Sequence, residues 1–328
     1  MSAKAVEKRG LKLEPVERAA FELILHVIDS GIEALEPKIS AKLGVFYKEA
    51  LRVASSANLR EQEVLDWLAS NGYAKREVYS RYVKCPKCGS FRMLGQLYCP
   101  SCGSKDVERI TLASHIPCGY IGTLEDMKKN DEYVCPKCGK ELGEEGKDWL
   151  RLGSIYRCMS CGETFDSPAP GYKCQDCGLE FTYRELLYEP VYRYVFNLDE
   201  LKARAKNVVL ALIADRLTRA GVAVELGAKV PGVSGLTHEV ALKASRAGKD
   251  VFLEVISDSP TASSDMIAVY GKALDIGSPN YIILAPIGLG KLSRPGLAVV
   301  TYETYTSAVE KGVEEVNKKL ALKRVERS

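Results

Sequence analysis

The chain has 328 residues, of which 46% are hydrophobic and 27% charged, a composition typical of a folded globular protein with two or three domains. Its formal net charge of +3 is too small to require a nucleic-acid partner, so any basic surface must be local. The opening residues MSAKAVEKRG lack the apolar core of a secretory signal. No apolar run reaches the ~18 residues of a membrane-spanning helix. These features argue against a membrane protein and predict a cytoplasmic location.

The N-terminal region, assigned to residues 1–83, shows helical patterns followed by an alternating one. Apolar residues at helical spacing predict a first helix, with Pro15 in its first turn. A second helix is predicted over residues 46–54, and a third over 59–70 with Asn58 as its N-cap. The segment YAKREVYSRYVKC then predicts a strand. Three helices followed by a strand is the element order of a winged helix.

All eleven cysteines lie in the middle of the chain. Together with one histidine they form six clips of ligand-x-x-ligand spacing: Cys85/Cys88, Cys99/Cys102, His115/Cys118, Cys135/Cys138, Cys158/Cys161 and Cys174/Cys177. One such turn presents two ligands to a single Zn²⁺ at about 2.3 Å, and four ligands complete a tetrahedral site. The clips therefore predict three zinc ions with no cysteine left over. Four protein ligands leave no position for water, which indicates structural zinc. Reduced thiolates are favoured over disulfides, because a disulfide scaffold requires export and would leave one cysteine unpaired.

The spacing does not establish which clips share an ion. Pairing of neighbours leaves 10, 16 and 12 residues between clips, and all three lengths suit a zinc ribbon. We therefore expect three consecutive zinc ribbons over residues 84–197, while an interleaved pairing stays open. His115 lies three residues before Cys118, where the fourth ligand of the second site is missing. The alternative is a surface histidine beside a three-cysteine site.

A basic segment joins the predicted third helix to the first clip. Its candidate nucleic-acid contacts are Lys75, Arg76, Arg81, Lys84 and Lys87. In a winged helix these residues would lie in the wing and reach phosphate groups. The preceding helix carries Glu61 and Glu63 as well as Arg60, so it is not a strongly basic recognition helix. The alternative is a winged helix that makes protein contacts.

The C-terminal region, assigned to residues 198–328, has an ordinary α/β pattern. The predicted order is α-β-β-β-α-β-β-α. The helices are expected at residues 201–220, 263–275 and 303–322, and the strands at 222–226, 237–244, 250–256, 280–286 and 297–300.

The middle of the chain resembles the thaumarchaeal output domain, an archaeal regulatory module with a winged-helix-like start and three zinc-binding units. The resemblance rests on NGYAKREVYSRYVKCPKCGS, SHIPCGYIG, VCPKCGKEL, YRCMSCGETF and YKCQDCG, and it covers about residues 60–195. HIPCGYIG is the most specific of these segments. The resemblance implies a signalling or gene-regulatory output role in an archaeal protein.

The C-terminal region resembles the restriction-endonuclease-like fold of the PD-(D/E)xK superfamily, through GVSGLTHEVALKA and KDVFLEVIS. The residues that match the motifs of this superfamily are Gly235, His238, Glu239 and Glu254. The positions of the catalytic aspartate and lysine are held by Ala241 and Ile256. Because an apolar side chain can neither bind Mg²⁺ nor orient water, the resemblance implies a nuclease-like fold without nuclease activity.

These features together predict a multidomain α+β protein: a zinc-containing, DNA-binding regulator related to transcription or signalling. One alternative is a metal-dependent DNA nuclease with a rearranged site at Glu239, Glu254 and Lys272, which would use Mg²⁺. The other is a scaffold that contacts polymerase or ribosome components. DNA is the expected partner, with the transcription machinery or another protein as further candidates and no membrane. A homodimer through the C-terminal domain is typical of nuclease-like folds.

Overall fold

The computed structural model describes residues 12–40, 42–289 and 297–321, and these residues form a mixed α+β structure with seven helices. They fold as two compact units. The second unit holds residues 40, 42–44 and 81–190, and the first holds the other described residues. The N-terminal helices and the C-terminal α/β region therefore share one unit. The three-domain division with boundaries after residues 83 and 197 stays a prediction. No helix among the described residues is long and apolar enough to cross a membrane.

The N-terminal elements follow the predicted order, with short extra strands between the first two helices. They are α1 (Pro15–Ser30), β1 (Ala34–Leu35), β2 (Lys38–Ser40), β3 (Gly44–Phe46), α2 (Lys48–Ser56), α3 (Glu61–Ser70) and β4 (Lys75–Lys84). Pro15 opens α1, and the Glu17 carboxylate accepts a hydrogen bond from the Glu14 amide (3.2 Å), as at a capped N-terminus.

The predicted N-cap of the third helix is wrong. Helix α3 begins at Glu61 with Arg60 in the N-cap position, and Glu63 accepts a hydrogen bond from the Arg60 amide (3.0 Å). Asn58 instead adopts a left-handed conformation with φ of 55° in the turn after α2. Asparagine tolerates this conformation better than most residues, so Asn58 separates the two helices rather than capping the second.

The cysteine-rich region consists of short strands and one helical turn. They are β5 (Met93–Tyr98), β6 (Val107–His115), β7 (Tyr120–Thr123), α4 (Leu124–Met127), β8 (Lys128–Lys129), β9 (Glu132–Tyr133), β10 (Trp149–Cys158), β11 (Thr164–Phe165), β12 (Ala169–Cys174), β13 (Glu180–Thr182) and β14 (Leu187–Val195). They form sheets of order β11-β10-β6-β7, β13-β12-β5 and β8-β9, while β14 lies between β1 and β4 in a further sheet.

Strand pairing in this region is nested. We call residues 85–186, which join β4 to β14 in the chain, the insert. Within the insert β5 pairs with β12 and β6 pairs with β10, both antiparallel, so each outgoing strand meets the matching returning strand. The insert is therefore a long hairpin-like excursion, and not a series of three independent units.

The C-terminal elements match the predicted order. They are α5 (Leu198–Arg219), β15 (Ala223–Pro231), β16 (Thr237–Arg246), β17 (Lys249–Val255), α6 (Ala262–Ile276), β18 (Tyr281–Pro286), β19 (Leu297–Tyr302) and α7 (Tyr305–Leu320). The five strands form one sheet in chain order, with β15, β16 and β17 antiparallel and β17, β18 and β19 parallel. Apolar residues of α5 and α7 join one core cluster with the sheet and those of α6 join another, so the two faces are covered by different helices.

Two carboxylates on or facing the N-terminal helix fix it within the first unit. Asp215 of α5 is fully buried and lies 3.1 Å from Arg18 of α1 and 2.9 Å from Arg219. Asp29 of α1 accepts hydrogen bonds from the first backbone amides of α7, at 2.7 Å from Tyr305 and 2.9 Å from Thr306. Because the amides at a helix start have no partner inside the helix, Asp29 acts as a cap supplied by another helix.

Candidate metal centres

The structure brings the twelve predicted ligands together in three groups of four. In each group the ligand atoms lie within 4.8 Å of one another. The groups are Cys85/Cys88/Cys174/Cys177, Cys99/Cys102/Cys158/Cys161 and His115/Cys118/Cys135/Cys138. We call them the outer, middle and inner sites. Neighbour pairing holds only for the inner site and is wrong for the other four clips, so the expectation of three consecutive ribbons is corrected to three nested sites.

The strand ladders explain the nested pairing. In the β5–β12 ladder Cys174 lies opposite Met93, five residues after Cys88. In the β6–β10 ladder Cys158 lies opposite Val107, five residues after Cys102. Each ladder therefore delivers the returning clip to the matching outgoing clip.

All six clips have the same local turn. The amide of the glycine that follows the second ligand donates to the carbonyl of the first ligand, at 2.8–3.0 Å in every clip. These glycines have left-handed φ angles between 67° and 77°: Gly89, Gly103, Gly119, Gly139, Gly162 and Gly178. A residue with a Cβ adopts this conformation at a cost, which explains the glycine in each clip.

The distances between ligands suit tetrahedral zinc. Sulfurs of opposite clips are 3.6 Å apart for Cys85 and Cys177, and 3.7 Å apart for Cys99 and Cys161. A tetrahedron with Zn–S bonds of about 2.3 Å has ligands roughly 3.8 Å apart. Two sites of four thiolates and one of three thiolates and an imidazole are donor sets that zinc accepts. The residues therefore fit three structural Zn²⁺ ions.

His115 belongs to the inner site. Its side chain is 1% exposed, and its Nδ1 atom lies 3.2 Å from Cys118 Sγ and 3.4 Å from Cys138 Sγ. The alternative of a surface histidine beside a three-cysteine group is therefore wrong.

Backbone amides favour the thiolate form of two cysteines, Cys85 and Cys158, each of which is the buried first ligand of its clip. Burial raises the pKa of Cys85, but the amides of Cys88 and Lys87 donate to its sulfur, and its pKa is lowered to about 7. The same arrangement lowers the pKa of Cys158 to about 6, where burial is opposed by the amides of Cys161 and Ser160. Since the thiolate is the form that binds metal, the turns prepare these ligands.

Each site also has a polar contact between its two clips that the spacing did not reveal. At the outer site Asp176 accepts a hydrogen bond from Ser90 (2.5 Å) and pairs with Arg92. At the middle site the hydroxyls of Ser104 and Ser160 are 2.7 Å apart. At the inner site Lys137 donates to the carbonyl of Cys118 (3.0 Å). The contacts at the outer and middle sites join clips that neighbour pairing would separate, so they support the nested pairing.

Two of the five basic candidates, Lys75 and Arg76, lie at the start of β4 in the first unit, and both have intramolecular partners. Lys75 forms an ion pair with Glu77 (2.8 Å). Arg76 lies 3.7 Å from Asp66, and its guanidinium stacks over the Tyr192 ring at 4.5 Å. The two side chains are 77% and 49% exposed, respectively.

In the second unit, the three remaining basic candidates are less engaged. Arg81 donates to the Tyr188 carbonyl (3.3 Å), and the Lys84 ammonium lies 6.0 Å from the centre of the Phe91 ring. Lys87 is exposed.

The candidate nuclease residues come together only in part. Glu254 is 2% exposed and lies 2.5 Å from Lys272 Nζ and 3.9 Å from Lys206 Nζ. Its carboxylate also accepts a hydrogen bond from the Ala241 amide (3.2 Å). Glu239 contributes its backbone carbonyl to Lys272 (2.7 Å), whereas its side chain is exposed. Lys272 therefore neutralises Glu254, the buried carboxylate among the candidate nuclease residues.

The other motif positions have structural surroundings. Ile256 is 2% exposed within the apolar cluster that includes α6. His238 Nε2 lies 2.6 Å from Asp275, which also accepts hydrogen bonds from the amide and hydroxyl of Ser234. Across the described ranges, the three cysteine-containing groups are the only sets of three or more potential His, Cys, Asp or Glu ligands close enough to share an ion.

The nested ligand groups define a protein whose insert has three potential metal sites, and comparison with known families identifies its class. Residues 12–196, more than half of the chain, match the family described as thaumarchaeal output domain 1. The chain belongs to this family, as the zinc-clip segments predicted. The match begins at residue 12 and so includes α1 and α2, which the sequence resemblance did not cover.

One curated protein resembles a smaller part of the chain. It is described as a probable E3 ubiquitin-protein ligase RZFP34 from Oryza sativa subsp. japonica, with 30% identity over 83 residues. The match spans 24% of this chain and 27% of the rice protein. No solved structure gave a significant match.

Proposed function

We propose that this chain is a zinc-stabilised regulatory protein that binds DNA through a winged helix. The observation that carries the proposal is topological. Apart from the short strands β2 and β3 and the insert, the elements come in the order α1, β1, α2, α3, β4 and β14, and the sheet order is β1-β14-β4. A helix, a strand, two helices and two further strands, with the last strand in the middle of the sheet, is the arrangement of a winged helix. The insert then occupies the position of the wing turn.

The DNA contact proposed here involves β4 rather than α3. Helix α3 carries Glu61, Glu63 and Asp66, and these carboxylates would oppose its entry into a groove lined with phosphates. Strand β4 supplies Lys75 and Arg76, whose carboxylate partners Glu77 and Asp66 are 29% and 50% exposed. Exposed ion pairs contribute only about 0–1 kcal/mol, so a phosphate can replace the carboxylate partner at little cost.

For the C-terminal region we propose a restriction-endonuclease-like domain without nuclease activity. Support comes from the order of α5, three antiparallel strands, α6 and two parallel strands, together with the apolar residues Ala241 and Ile256. The contact between Lys272 and Glu254 is the observation that favours the nuclease alternative. However, a single buried carboxylate already paired with lysine is a poor Mg²⁺ ligand, since this ion usually requires one or two free carboxylates.

A protein-binding scaffold is the second candidate function, and exposed apolar side chains of the insert favour it. Those at least 43% exposed include Leu94, Leu97, Ile121, Leu150 and Leu152. Clusters of exposed apolar residues are typical of protein-binding surfaces. No activity is carried over from the rice protein, because the similarity covers about a quarter of each chain.

The proposal is tested by DNA binding at several salt concentrations, with zinc-loaded protein and with Mg²⁺ present or absent. Wild type is compared with Lys75→Glu/Arg76→Glu, and Lys128→Glu/Lys129→Glu serves as the matched control because these residues are also adjacent, basic and exposed. We expect the β4 variant to lose about tenfold or more in affinity and its salt dependence to fall by about two phosphate contacts. The control variant should bind like wild type.

Each other outcome has a definite meaning. Equal losses of DNA affinity in both variants would show that binding depends on overall charge alone, and would contradict a contact at β4. Cleaved DNA would support the nuclease alternative. Protein that binds no DNA at any salt concentration would support the scaffold.

A further inference from the structure

Metal sites and strand ladders alternate along the insert. From its middle outward, the order is the inner site, the β6–β10 ladder, the middle site, the β5–β12 ladder and the outer site. The β6–β10 ladder begins at the inner ligand His115, opposite Trp149, and ends at the middle ligand Cys158. The β5–β12 ladder begins at Tyr98, one residue before the middle ligand Cys99, and ends at the outer ligand Cys174.

The three sites close chain segments of very different length. At the inner site Cys118 and Cys135 are 17 positions apart. At the middle site the separation between Cys102 and Cys158 is 56 residues. At the outer site the separation between Cys88 and Cys174 is 86 residues. Because the entropy lost on closing a loop grows with its length, an unfolded insert closes the inner site most easily.

Each closed site shortens the loop of the next one. Once the inner site holds His115, the β6–β10 ladder can extend from that end and bring Cys158 opposite Val107, five residues from Cys102. The middle site then closes a short segment instead of 56 residues. The same step through β5 and β12 brings Cys174 opposite Met93, five residues from Cys88. The order starts at the inner site, since its loop is the shortest of the three and closes without help from another site.

We propose that the three sites take up zinc from the inside outward, so that at limiting zinc the inner site is filled first and the outer site last. The outer site is then the first to lose its metal. Cys85 directly follows β4, and Cys177 precedes β14 by ten residues. Zinc at the outer site would therefore connect the two segments of chain that enter and leave the insert. A fall in available zinc would open the outer site before it affected the rest of the insert. This proposal is independent of DNA binding.

Three matched variants of the full chain test the order. Cys88→Ser, Cys102→Ser and Cys138→Ser each remove the exposed second cysteine of one clip, from the outer, middle and inner site respectively. At a buffered, limiting concentration of free zinc we expect about two, one and no bound ions per chain. About two ions in every variant would show independent sites and overturn the proposal. Loss of all zinc in the outer-site variant would also overturn it.

A second measurement uses the unmodified chain, so that it does not depend on the folding of a variant. Cobalt is added stepwise to metal-free protein, and the absorption spectrum separates the site with an imidazole ligand from the two sites with four thiolates. We expect the first equivalent to give the spectrum of three sulfurs and one nitrogen, and later equivalents to give that of four sulfurs. A four-sulfur spectrum at the first equivalent, or a constant mixture throughout, would contradict the inside-outward order.

Discussion

The sulfur atoms of Cys85 and Cys177 lie 3.6 Å apart, although 92 residues separate them in the chain. Few apolar side chains could hold such a distant pair together, because the core cluster at this site is small: its buried members are Cys85, Cys174 and Phe181. We therefore expect zinc to supply much of the free energy that folds the insert.

Chelation is expected to unfold the insert and to spare the sheet of the first unit. Removal of zinc leaves up to four thiolates per site without the ion that neutralises them, while β15–β19 keep the apolar clusters on both faces. Hydrogen exchange measured by mass spectrometry should show loss of protection in residues 85–186 and retained protection in β17 and β18. Protection of the insert in metal-free protein would contradict a structural role of zinc.

Substitution of Asp215 by alanine should strongly destabilise the first unit. The carboxylate is fully buried, and its loss leaves the Arg18 guanidinium without its partner. Because Arg18 and Arg219 are 27% and 42% exposed and can be partly hydrated, we expect a cost of about 1.5–3 kcal/mol, the range for a lost hydrogen bond to a charged group. Urea unfolding checks this value, with Glu22→Ala as the control because Glu22 forms an exposed pair with Arg216 at 3.5 Å. The control should change the free energy of unfolding by about 1 kcal/mol or less, and equal effects would contradict the role of Asp215.

The contact between Glu254 and Lys272 is expected to be structural. Lys272→Met should destabilise the protein by about 3–5 kcal/mol, because it leaves the buried Glu254 carboxylate without its closest cation. The double variant Lys272→Met/Glu254→Gln should recover most of this loss, since it also removes the charge. Thermal or urea unfolding of the single and double variants gives the comparison. Additive losses in the double variant would mean that the two side chains do not interact.

Asp275 should titrate well below an ordinary aspartate. Hydrogen bonds from the Ser234 hydroxyl, and then from His238, lower the pKa of Asp275 from 3.8 to about 2. A depressed pKa in the folded state means that the stabilisation is complete above about pH 4 and is lost as the pH falls towards 2. Carboxyl ¹³C NMR should give a midpoint near 2 in wild type, and a higher midpoint in Ser234→Ala. A wild-type midpoint near 3.8 would contradict these contacts.

Hydrophobic periodicity was sufficient to predict the C-terminal elements, because buried strands such as β17 and β18 and helices such as α5 carry long apolar patterns. The prediction of Asn58 as an N-cap was wrong because asparagine also suits a left-handed turn, and the local sequence does not distinguish the two roles. No local sequence pattern could predict the contacts of Asp29 with α7 or of Asp215 with the Leu13 amide, because both join residues more than 190 positions apart.

The metal ligands could be predicted from their spacing, but their pairing could not. Each clip is a local turn that looks the same whichever clip it meets. The choice depends on the ladders β5–β12 and β6–β10, whose strands are mostly half-exposed and have weak alternation. The bulge between Arg151 and Gly153 weakens that pattern further.

The nested pairing itself is tested most directly by replacing zinc with ¹¹³Cd in the full chain and recording correlations between each cadmium ion and the Hβ protons of its cysteine ligands. The nested arrangement predicts one cadmium ion coupled to Cys85, Cys88, Cys174 and Cys177, and another coupled to Cys99, Cys102, Cys158 and Cys161. A cadmium ion coupled to Cys85, Cys88, Cys99 and Cys102 would contradict it and restore consecutive zinc ribbons.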